Sequence, residues 1–271
     1  MATRYFHHLS SQQAASSLSN PGATLVWPFG ACEQHGSHLP LATDALFAQH
    51  LTERVLARLP ENAPIWSLPA QAIGFSPEHT GFAGTLTLPA SLLIDLVTEV
   101  GSQLAAQGAQ RLVILNAHGG QIGLLQAAAR QLRQRARSMA VHPCFLWSGI
   151  RALSDLIPAD ELIQGLHAGL IETSLMLHLD PNLVGAERPI GGRYNPSSGV
   201  ASPPDGWSLE GDAPWAWLMA EVSENGVIGD SRNASPELGT ALSNALESQW
   251  LERFRALLAT DWPPRDVSAR S

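Results

Sequence analysis

Four side chains capable of binding metal lie close together near the N-terminus of the chain. Glu33, His35, His38 and Asp44 fall within twelve residues, shortly after an apolar run that ends at Phe29. Carboxylates mixed with imidazoles suit Zn²⁺, Mn²⁺ or Fe²⁺, whereas an all-oxygen set would favour Mg²⁺ or Ca²⁺. The segment therefore predicts a site for a transition-type divalent cation.

A further imidazole follows another short apolar run. Residues 111–115 lead into Asn116-Ala117-His118-Gly119-Gly120. By itself, a histidine in such a position is more often structural than a ligand. Ligands in open α/β sheets bind beyond the carboxyl ends of the strands, so two such ends at one edge would bring His118 to the first segment.

The third segment runs from His167 to Ser174. On a continuous helix, at about 100° per residue, His167 and Glu172 would point roughly 140° apart and could not easily meet at one point. We therefore expect the helix to begin near Gly169, with His167 on the preceding loop and Glu172 in the first turn. A first-turn carboxylate is usually explained by the helix dipole, so this segment alone is a weak indication of a ligand.

The elements that must position these residues alternate along the chain. Short apolar runs and longer amphipathic stretches follow one another, which is typical of an α/β sheet with helical crossovers. The predicted strands are residues 24–29, 64–68, 111–115 and 141–147. The predicted helices are residues 44–59, 90–106, 121–137 and 236–258, the last with Ser235 as N-cap and Pro236 as its first residue.

A different composition marks residues 188–230. This stretch is rich in Gly, Pro and Ser and carries Trp207, Trp215 and Trp217. Structureless loops of this length are uncommon in compact domains unless they are functional. We expect a lid or an oligomer contact here, with an ordinary surface excursion as the alternative.

The overall composition limits the possible partners. A formal net charge of -8 with 16 Lys plus Arg argues against nucleic acid, whose phosphates require clustered cations. Two cysteines, Cys32 and Cys144, cannot form a disulfide framework, which favours a reducing, cytoplasmic setting. We expect no secretion signal, since the N-terminal residues lack an apolar core, and no membrane partner, since no run approaches about 20 apolar residues.

Taken together, the three segments resemble the creatininase family of metal-dependent amidohydrolases. The matching blocks are residues 33–44, 116–120 and 167–174, and the stretches 74–86 and 226–230 fit as well. The resemblance implies a single domain over residues 1–271, built as a three-layer α/β/α sandwich with a mostly parallel central sheet. It also implies a homo-oligomer, commonly a hexamer, which a chain with 15% charged residues would suit.

The resemblance further implies two divalent metal ions per subunit, of Zn, Mn or Fe. Asp44 would bridge them. Glu33 and His118 would complete the ligands of one ion, and His35 and Glu172 those of the other. Two cations held by a shared carboxylate can activate water at neutral pH and polarise a carbonyl group, so the implied site fits hydrolysis of an amide.

Three further histidines receive roles from the same resemblance. His167 would be catalytic, taking a proton from the attacking water and giving it to the leaving nitrogen. His38 lies outside the ligand set and is expected to orient a ligand or pack in the turn. His79 is a candidate contact for the substrate or a neighbouring subunit, and packing is an equal alternative.

The expected substrate is a small molecule with a non-peptide C–N bond, in a cyclic amide or a formamide-like group. Creatinine itself is disfavoured, because enzymes that act on it carry bulky or acidic residues in place of Gly119 and Gly120 and an aromatic residue in place of Ile163. The main alternative is peptidase-like cleavage of a modified peptide during cofactor maturation. A metal-binding protein without turnover is a third hypothesis, against which His167 speaks.

Overall fold

The central layer of the fold is a parallel β-sheet. The computed structural model describes residues 4–192, 199, 201 and 203–263. Their main sheet has the strand order β2-β1-β3-β4, and all neighbouring strands are parallel. Its strands are β1 (Thr24–Phe29), β2 (Ile65–Ser67), β3 (Arg111–Asn116) and β4 (Ala140–Phe145). The four strands expected from the sequence are confirmed.

The largest difference in strand boundaries is at the end of β4. The apolar pattern predicted a strand up to Trp147, but β4 ends at Phe145, opposite Asn116 at the end of β3. The Leu146 N–H still donates to the Asn116 carbonyl at 2.8 Å, and the chain then turns. Without a further β3 residue to pair with, continued extension would gain no ladder hydrogen bonds.

The described α-helices are α1 (Ser11–Leu18), α2 (Thr43–Ala57), α3 (Ala90–Ala106), α4 (Ile122–Arg135), α5 (Leu153–Leu156), α6 (Ala159–Gln164), α7 (Leu170–Leu179), α8 (Met219–Val222) and α9 (Pro236–Leu258). The helices α2, α3 and α4 connect successive strands of the main sheet, and the other α-helices lie before β1 or after β4. The four long predicted helices correspond to α2, α3, α4 and α9. The connection from β3 to α4 differs in detail, since residues 119–121 form a 3₁₀ helix ahead of an α4 that is shorter than predicted.

Local capping explains where several helices begin. Ser235 accepts a hydrogen bond from the Leu238 N–H, and Pro236 opens α9, as predicted. Gly169 is the N-cap of α7, which confirms a helix start that leaves His167 on the loop. α1 was not predicted, although its Ser10 and Gln13 form a capping box whose signature is present in the sequence.

The sheet separates two apolar layers. One cluster joins Val26 and Val113 to side chains of α2, α7 and α9, and the other joins Leu25 and Leu112 to side chains of α3 and α4. Neighbouring residues along a strand point to opposite faces, so both faces of the sheet are covered by helices. The three-layer α/β/α sandwich is confirmed.

The predicted loop at residues 188–230 is partly ordered where the structure describes it. Short strands β5 (Ile190–Gly191) and β6 (Gly229–Asp230) pair antiparallel, and the helix α8 lies between them. Trp215 and Trp217 pack against a small cluster that contains Met219 and Ile228. Where the structure describes it, this part is therefore not a continuous loop, and the expected lid or oligomer contact stays a prediction. Residues 193–198, 200 and 202 lie outside the described residues. No described helix is both long enough and apolar enough to cross a membrane.

Candidate metal centre

The predicted ligands converge at the carboxyl end of β1 and β3. These strands are parallel neighbours that end at Phe29 and Asn116, directly opposite each other. After β1 the chain loops through Glu33 and His35 and returns to place Asp44 in the first turn of α2. His118 follows β3 after one intervening residue. The edge of the sheet thus brings together residues more than 70 positions apart in the sequence.

Asp44 lies between two of the histidines. Its Oδ1 is 3.6 Å from His35 Nε2, and its Oδ2 is 3.4 Å from His118 Nδ1. Glu33 Oε1 is 3.3 Å from the same nitrogen of His118 and 4.0 Å from His35 Nε2. The two carboxylates and two imidazoles therefore face one another across a small buried space.

The last predicted ligand comes from α7. Glu172 Oε2 lies 4.0 Å from His35 Nε2 and accepts a hydrogen bond from the Ala168 N–H at 2.6 Å. Ala168 has φ +54°, which is unusual for a residue with a Cβ and turns the chain between the loop and α7. This turn lets His167 and Glu172 approach the same site, although a continuous helix would separate them.

Several atoms at the centre of this cluster are buried without a hydrogen-bond partner in the described chain. They are both carboxylate oxygens of Glu33, His35 Nε2 and Asp44 Oδ2. Leaving such polar atoms unpaired away from water is costly. Overlapping trios of ligand atoms lie within 4.8 Å of one another, including Glu33 with His35 and Asp44. The donor set and its unpaired atoms therefore fit a divalent cation.

The buried charges control one another's pKa values. Burial alone would lower the pKa of His35, but Asp44, Glu172 and Glu33 raise it to about 9. Burial would raise the pKa of Asp44, yet His118 and His35 hold it far below its usual range. Burial raises the pKa of Glu172 to about 7 against the opposing charge of His35. Protons on these groups would compete with a cation, because a metal binds their deprotonated forms.

His167 and His79 line the same space, and their rings pack at a tilted angle. Their ring centroids are 4.4 Å apart, and His167 Nδ1 and His79 Nε2 lie 3.8 and 3.4 Å from Glu33 Oε1. The Gln34 side-chain amide donates to His79 Nδ1 at 2.9 Å and to the Gly226 carbonyl at 3.0 Å. Burial lowers the pKa of His167 well below its usual value, and the charges of His35 and His79 lower it further.

His38 lies apart from the carboxylates. Its Nε2 is 2.8 Å from Thr173 Oγ1, so it connects the segment after β1 to α7 next to Glu172. Burial, followed by the charges of Arg188 and His35, lowers the pKa of His38 to about 4. The structure thus brings His38 to the helix that carries a predicted ligand, but not to the cluster itself.

Two clefts lined by described residues border the cluster. The first has a volume of about 340 Å³ and an apolar wall formed by Phe145, Trp147, Leu153, Leu162 and Ile171. The second has a volume of about 510 Å³ and an aromatic wall formed by Phe75, Trp215 and Trp217. Both clefts share His118 and His167, and no Lys or Arg of the described chain lines either one.

Comparison with known proteins identifies the family to which this arrangement belongs. A sequence model of the creatininase family, described as creatinine amidohydrolase, matches residues 7–254. The chain belongs to the creatininase family.

Curated relatives of this creatininase-family hydrolase carry two different names. The chain is 34% identical over 253 residues to a mycofactocin precursor peptide peptidase of Mycobacterium tuberculosis, covering 88% of this chain and 87% of that protein. It is 32% identical over 178 residues to a creatinine amidohydrolase of Pseudomonas putida, covering 60% of this chain and 67% of that protein. The relatives thus include proteins named as peptide peptidases and a protein named as a creatinine amidohydrolase.

Solved creatininase structures share the fold. A structure described as Creatininase Mn superposes with a TM-score of 0.73 at 23% identity, covering 96% of this chain and 100% of that chain. A Zn-Zn form of a mutant creatininase superposes with a TM-score of 0.70 at 22% identity and the same coverage. At this level of identity the likeness shows the architecture alone.

Two contacts of this creatininase-family site were not predicted from the sequence. Glu78 Oε1 lies 3.1 Å from His118 Nε2, and Gln34 links His79 to Gly226. Both residues directly precede a histidine of the site in the sequence, which was the available signal. Their carboxylate and amide side chains are too common near loops for that signal to have been decisive.

Proposed function

We propose that this chain hydrolyses a C–N amide bond with water activated by two divalent metal ions. The observation that carries the proposal is the buried convergence of carboxylate oxygens and imidazole nitrogens without hydrogen-bond partners, in a chain of the creatininase family. Mn and Zn, which the descriptions of two similar structures name, are the first metals to test.

The distances support a division of the ligands into two sets. Asp44 presents one oxygen to His35 and the other to His118, as a bridging carboxylate must. Glu33 lies nearer to His118 than to His35, and Glu172 lies near His35. We therefore assign Glu33, His118 and Asp44 to one cation and His35, Glu172 and Asp44 to the other.

His167 is the proposed proton carrier. Its Nε2 lies 2.7 Å from the Gln34 carbonyl oxygen, which can only accept, so Nε2 carries the hydrogen and Nδ1 keeps its lone pair on the side of Glu33. The lowered pKa keeps the ring neutral, so Nδ1 has a free lone pair. When bound, the two cations lower the pKa of a water and polarise the carbonyl. His167 then delivers the proton to the leaving nitrogen.

A peptide-derived substrate is favoured over the non-peptide amide expected from the sequence. The relative that covers more of this chain is named a peptide peptidase, and two clefts that share His118 and His167 suit a substrate that extends past the cleaved bond. The apolar and aromatic walls and the lack of a described cation in either cleft favour neutral or cationic, partly apolar groups over a polyanion.

A small cyclic amide or formamide remains the second candidate. The identity to the Pseudomonas putida creatinine amidohydrolase favours it. Creatinine itself stays disfavoured, because Ile163 lies on α6 with 70% of its surface exposed and cannot replace an aromatic contact inside either cleft.

Purified protein loaded with Mn²⁺ or Zn²⁺ tests the proposal. We expect about two equivalents of bound metal and metal-dependent hydrolysis of at least one member of a panel of short peptides, lactams and formamides. Hydrolysis of peptides alone selects the first candidate, and hydrolysis of lactams or formamides alone selects the second. Binding of fewer than about one equivalent, or loading without any turnover across the panel, contradicts the proposal.

The Asp44→Asn variant tests whether Asp44 binds the metal ions. Loss of the shared charge should remove most bound metal and lower turnover by at least 100-fold, as for other groups on which the chemistry depends. Asp95→Asn is the matched control, since Asp95 is exposed on α3 and remote from the site. Equal metal content and turnover in the two variants would exclude Asp44 as a ligand.

A further inference from the structure

Glu78 makes the closest carboxylate contact to a predicted ligand from outside the ligand set. It belongs to the 3₁₀ helix Pro77–His79, whose last residue enters the site beside Glu33. Glu78 reaches the opposite side of His118, where its Oε1 lies 3.1 Å from His118 Nε2 and its side chain is only 14% exposed. One short helix therefore contacts the site at two points.

The two nitrogens of His118 face different partners. Nδ1 is directed at Glu33 Oε1 and Asp44 Oδ2, at 3.3 and 3.4 Å. Nε2 is directed at the Phe75 carbonyl oxygen and at Glu78 Oε1, each at 3.1 Å. A carbonyl oxygen cannot donate, so Nε2 of the neutral ring carries the hydrogen and Nδ1 presents its lone pair to the two carboxylates.

Gly120 supplies the room for this contact. A Cβ built at Gly120 would overlap Glu78 Oε1 and would lie 2.6 Å from His118 Nε2. At Gly119, by contrast, the nearest atom to a Cβ is Glu210 Oε1 at 3.6 Å, an ordinary contact distance. Of the two adjacent glycines, only Gly120 is therefore required for the Glu78 carboxylate to reach His118.

We propose that Glu78 is a positioning residue for His118. Its carboxylate accepts the Nε2 hydrogen, fixes the ring with Nδ1 toward Glu33 and Asp44, and makes Nδ1 a stronger ligand. The inference rests on the proposed metal site, and it concerns only the affinity of the ion that His118 holds. A carboxylate behind a ligating histidine typically changes metal affinity by about 10- to 100-fold.

The alternative is that Glu78 itself binds the cation. One of its oxygens does lie within 4.8 Å of ligand atoms of Glu33 and His118. However, Glu78 Oε1 contacts Nε2, whereas Asp44 and Glu33 contact Nδ1. Both nitrogens lie on the same ring but point away from each other, so an ion at Nδ1 lies on the side that Glu78 does not contact.

Metal binding by the metal-free protein distinguishes these alternatives without any assay of turnover. We would measure stoichiometry and dissociation constants for Mn²⁺ by calorimetry and for Zn²⁺ by competition with a chelator. For Glu78→Ala we expect two ions to bind, one of them about 10- to 100-fold more weakly. Glu78→Gln keeps an acceptor oxygen without the charge and should restore part of the loss.

Substitution of the adjacent glycines, Gly119 and Gly120, gives a second test. Gly120→Ala crowds both the Glu78 carboxylate and His118 Nε2, so it should weaken the same ion at least as much as Glu78→Ala does, whereas Gly119→Ala should bind both ions like the unsubstituted protein. Thermal unfolding of each metal-free variant checks that the fold is intact. If Glu78→Ala does not fold, Glu78→Gln and Gly120→Ala decide the question.

The outcomes separate this inference from the proposed function. Unchanged affinities in Glu78→Ala, or in Glu78→Gln and Gly120→Ala where Ala does not fold, overturn the positioning role while leaving the two-metal site intact. Loss of one whole equivalent in Glu78→Gln would make Glu78 a ligand and would also overturn it. If the unsubstituted protein binds no metal, both proposals fail together.

Discussion

Three histidines of the site each have one ring nitrogen within hydrogen-bond distance of a backbone carbonyl oxygen. The pairs are His35 Nδ1 with Glu33 at 3.1 Å, His118 Nε2 with Phe75 at 3.1 Å and His167 Nε2 with Gln34 at 2.7 Å. When the ring is neutral, each carbonyl selects the tautomer whose other nitrogen faces the carboxylates. The rings are therefore oriented before a cation or a substrate binds, which reduces the reorganisation that binding would require.

Replacement of His167 by Ala tests its role separately from the metals. His167 is not in either proposed ligand set, so we expect metal content to stay unchanged while kcat falls by about 100- to 10,000-fold, the usual contribution of a general acid–base group. Metal analysis and steady-state kinetics on the same preparation provide the measurement. His8→Ala, at an exposed position, is the control. Retained turnover in His167→Ala would remove the proton-carrier assignment.

The lowered pKa of His38 predicts that the folded protein loses stability in acid. Its pKa is lowered to about 4 in the folded protein, mainly by burial, against a usual value of 6.5. As the pH falls, His38 is protonated in the unfolded chain before it is protonated in the folded protein. The contribution of neutral His38 to stability is therefore complete above about pH 6.5 and is lost between pH 6.5 and 4.

Denaturant unfolding across this pH range gives the measurement. We expect the unsubstituted protein to lose roughly 1–3 kcal/mol more than His38→Gln between pH 7 and 4. Gln retains a polar contact for Thr173 but does not titrate. The surrounding groups, Arg188, Glu187 and His35, are unchanged in both proteins. Parallel pH profiles would show that His38 is not buried in its neutral form.

Among the secondary-structure elements, apolar periodicity predicted those that bury an apolar face. The four strands and four long helices followed from patterns that one sheet face or one helix face must satisfy. α1 was missed because its signal is a cap rather than an apolar face, and β4 was extended too far because its end depends on the length of β3. The paired strands β5 and β6 are too short for any periodicity.

Two helix glycines are predicted to respond in opposite ways to substitution by Ala. One lies where α9 contacts α7, and the other lies in open space on α4. A Cβ at Gly239 would overlap the Ser174 carbonyl oxygen, whereas a Cβ at Gly123 in α4 would meet nothing within 4 Å. Gly239→Ala should destabilise the fold by about 1–3 kcal/mol or more, because backbone cannot yield as a side chain can. Gly123→Ala should be neutral or stabilise it by up to about 1 kcal/mol.

Chemical denaturation of both variants gives the comparison. Because Ser174 is two residues from Glu172, Gly239→Ala should also weaken metal binding, and Gly123→Ala should not. A stable Gly239→Ala with unchanged metal affinity would indicate that α7 and α9 can separate without moving the site.

At the scale of the whole molecule, the site depends on contacts that no local pattern encodes. The blocks around Glu33, His118 and Glu172 were recognisable in the sequence because their residue types suit metal binding. The turn at Ala168 and the approach of Glu78 to His118 were not, since they arise only after distant loops pack together. The ligand candidates could thus be predicted, but the groups that orient them could not.

This long-range assembly predicts that metal binding stabilises the entire fold. The candidate ligands come from the segment after β1, the end of β3 and α7, so a cation that binds all of them favours the folded state over the unfolded chain. At a free metal concentration of 100 times Kd, one site contributes about 2.7 kcal/mol. For a chain of this size we expect Tm to rise by roughly 5–10 °C on loading.

Thermal unfolding of chelator-treated protein, before and after addition of Mn²⁺ or Zn²⁺, measures this effect. Asp44→Asn should show little or no rise, because it lacks the carboxylate shared by the two proposed ligand sets, whereas Asp95→Asn should behave like the unsubstituted protein. An equal rise in Asp44→Asn would place the stabilising ion elsewhere on the molecule. No rise in any of the three proteins would mean that the buried carboxylates are held by protons alone, as the raised pKa values of Glu33 and Glu172 allow.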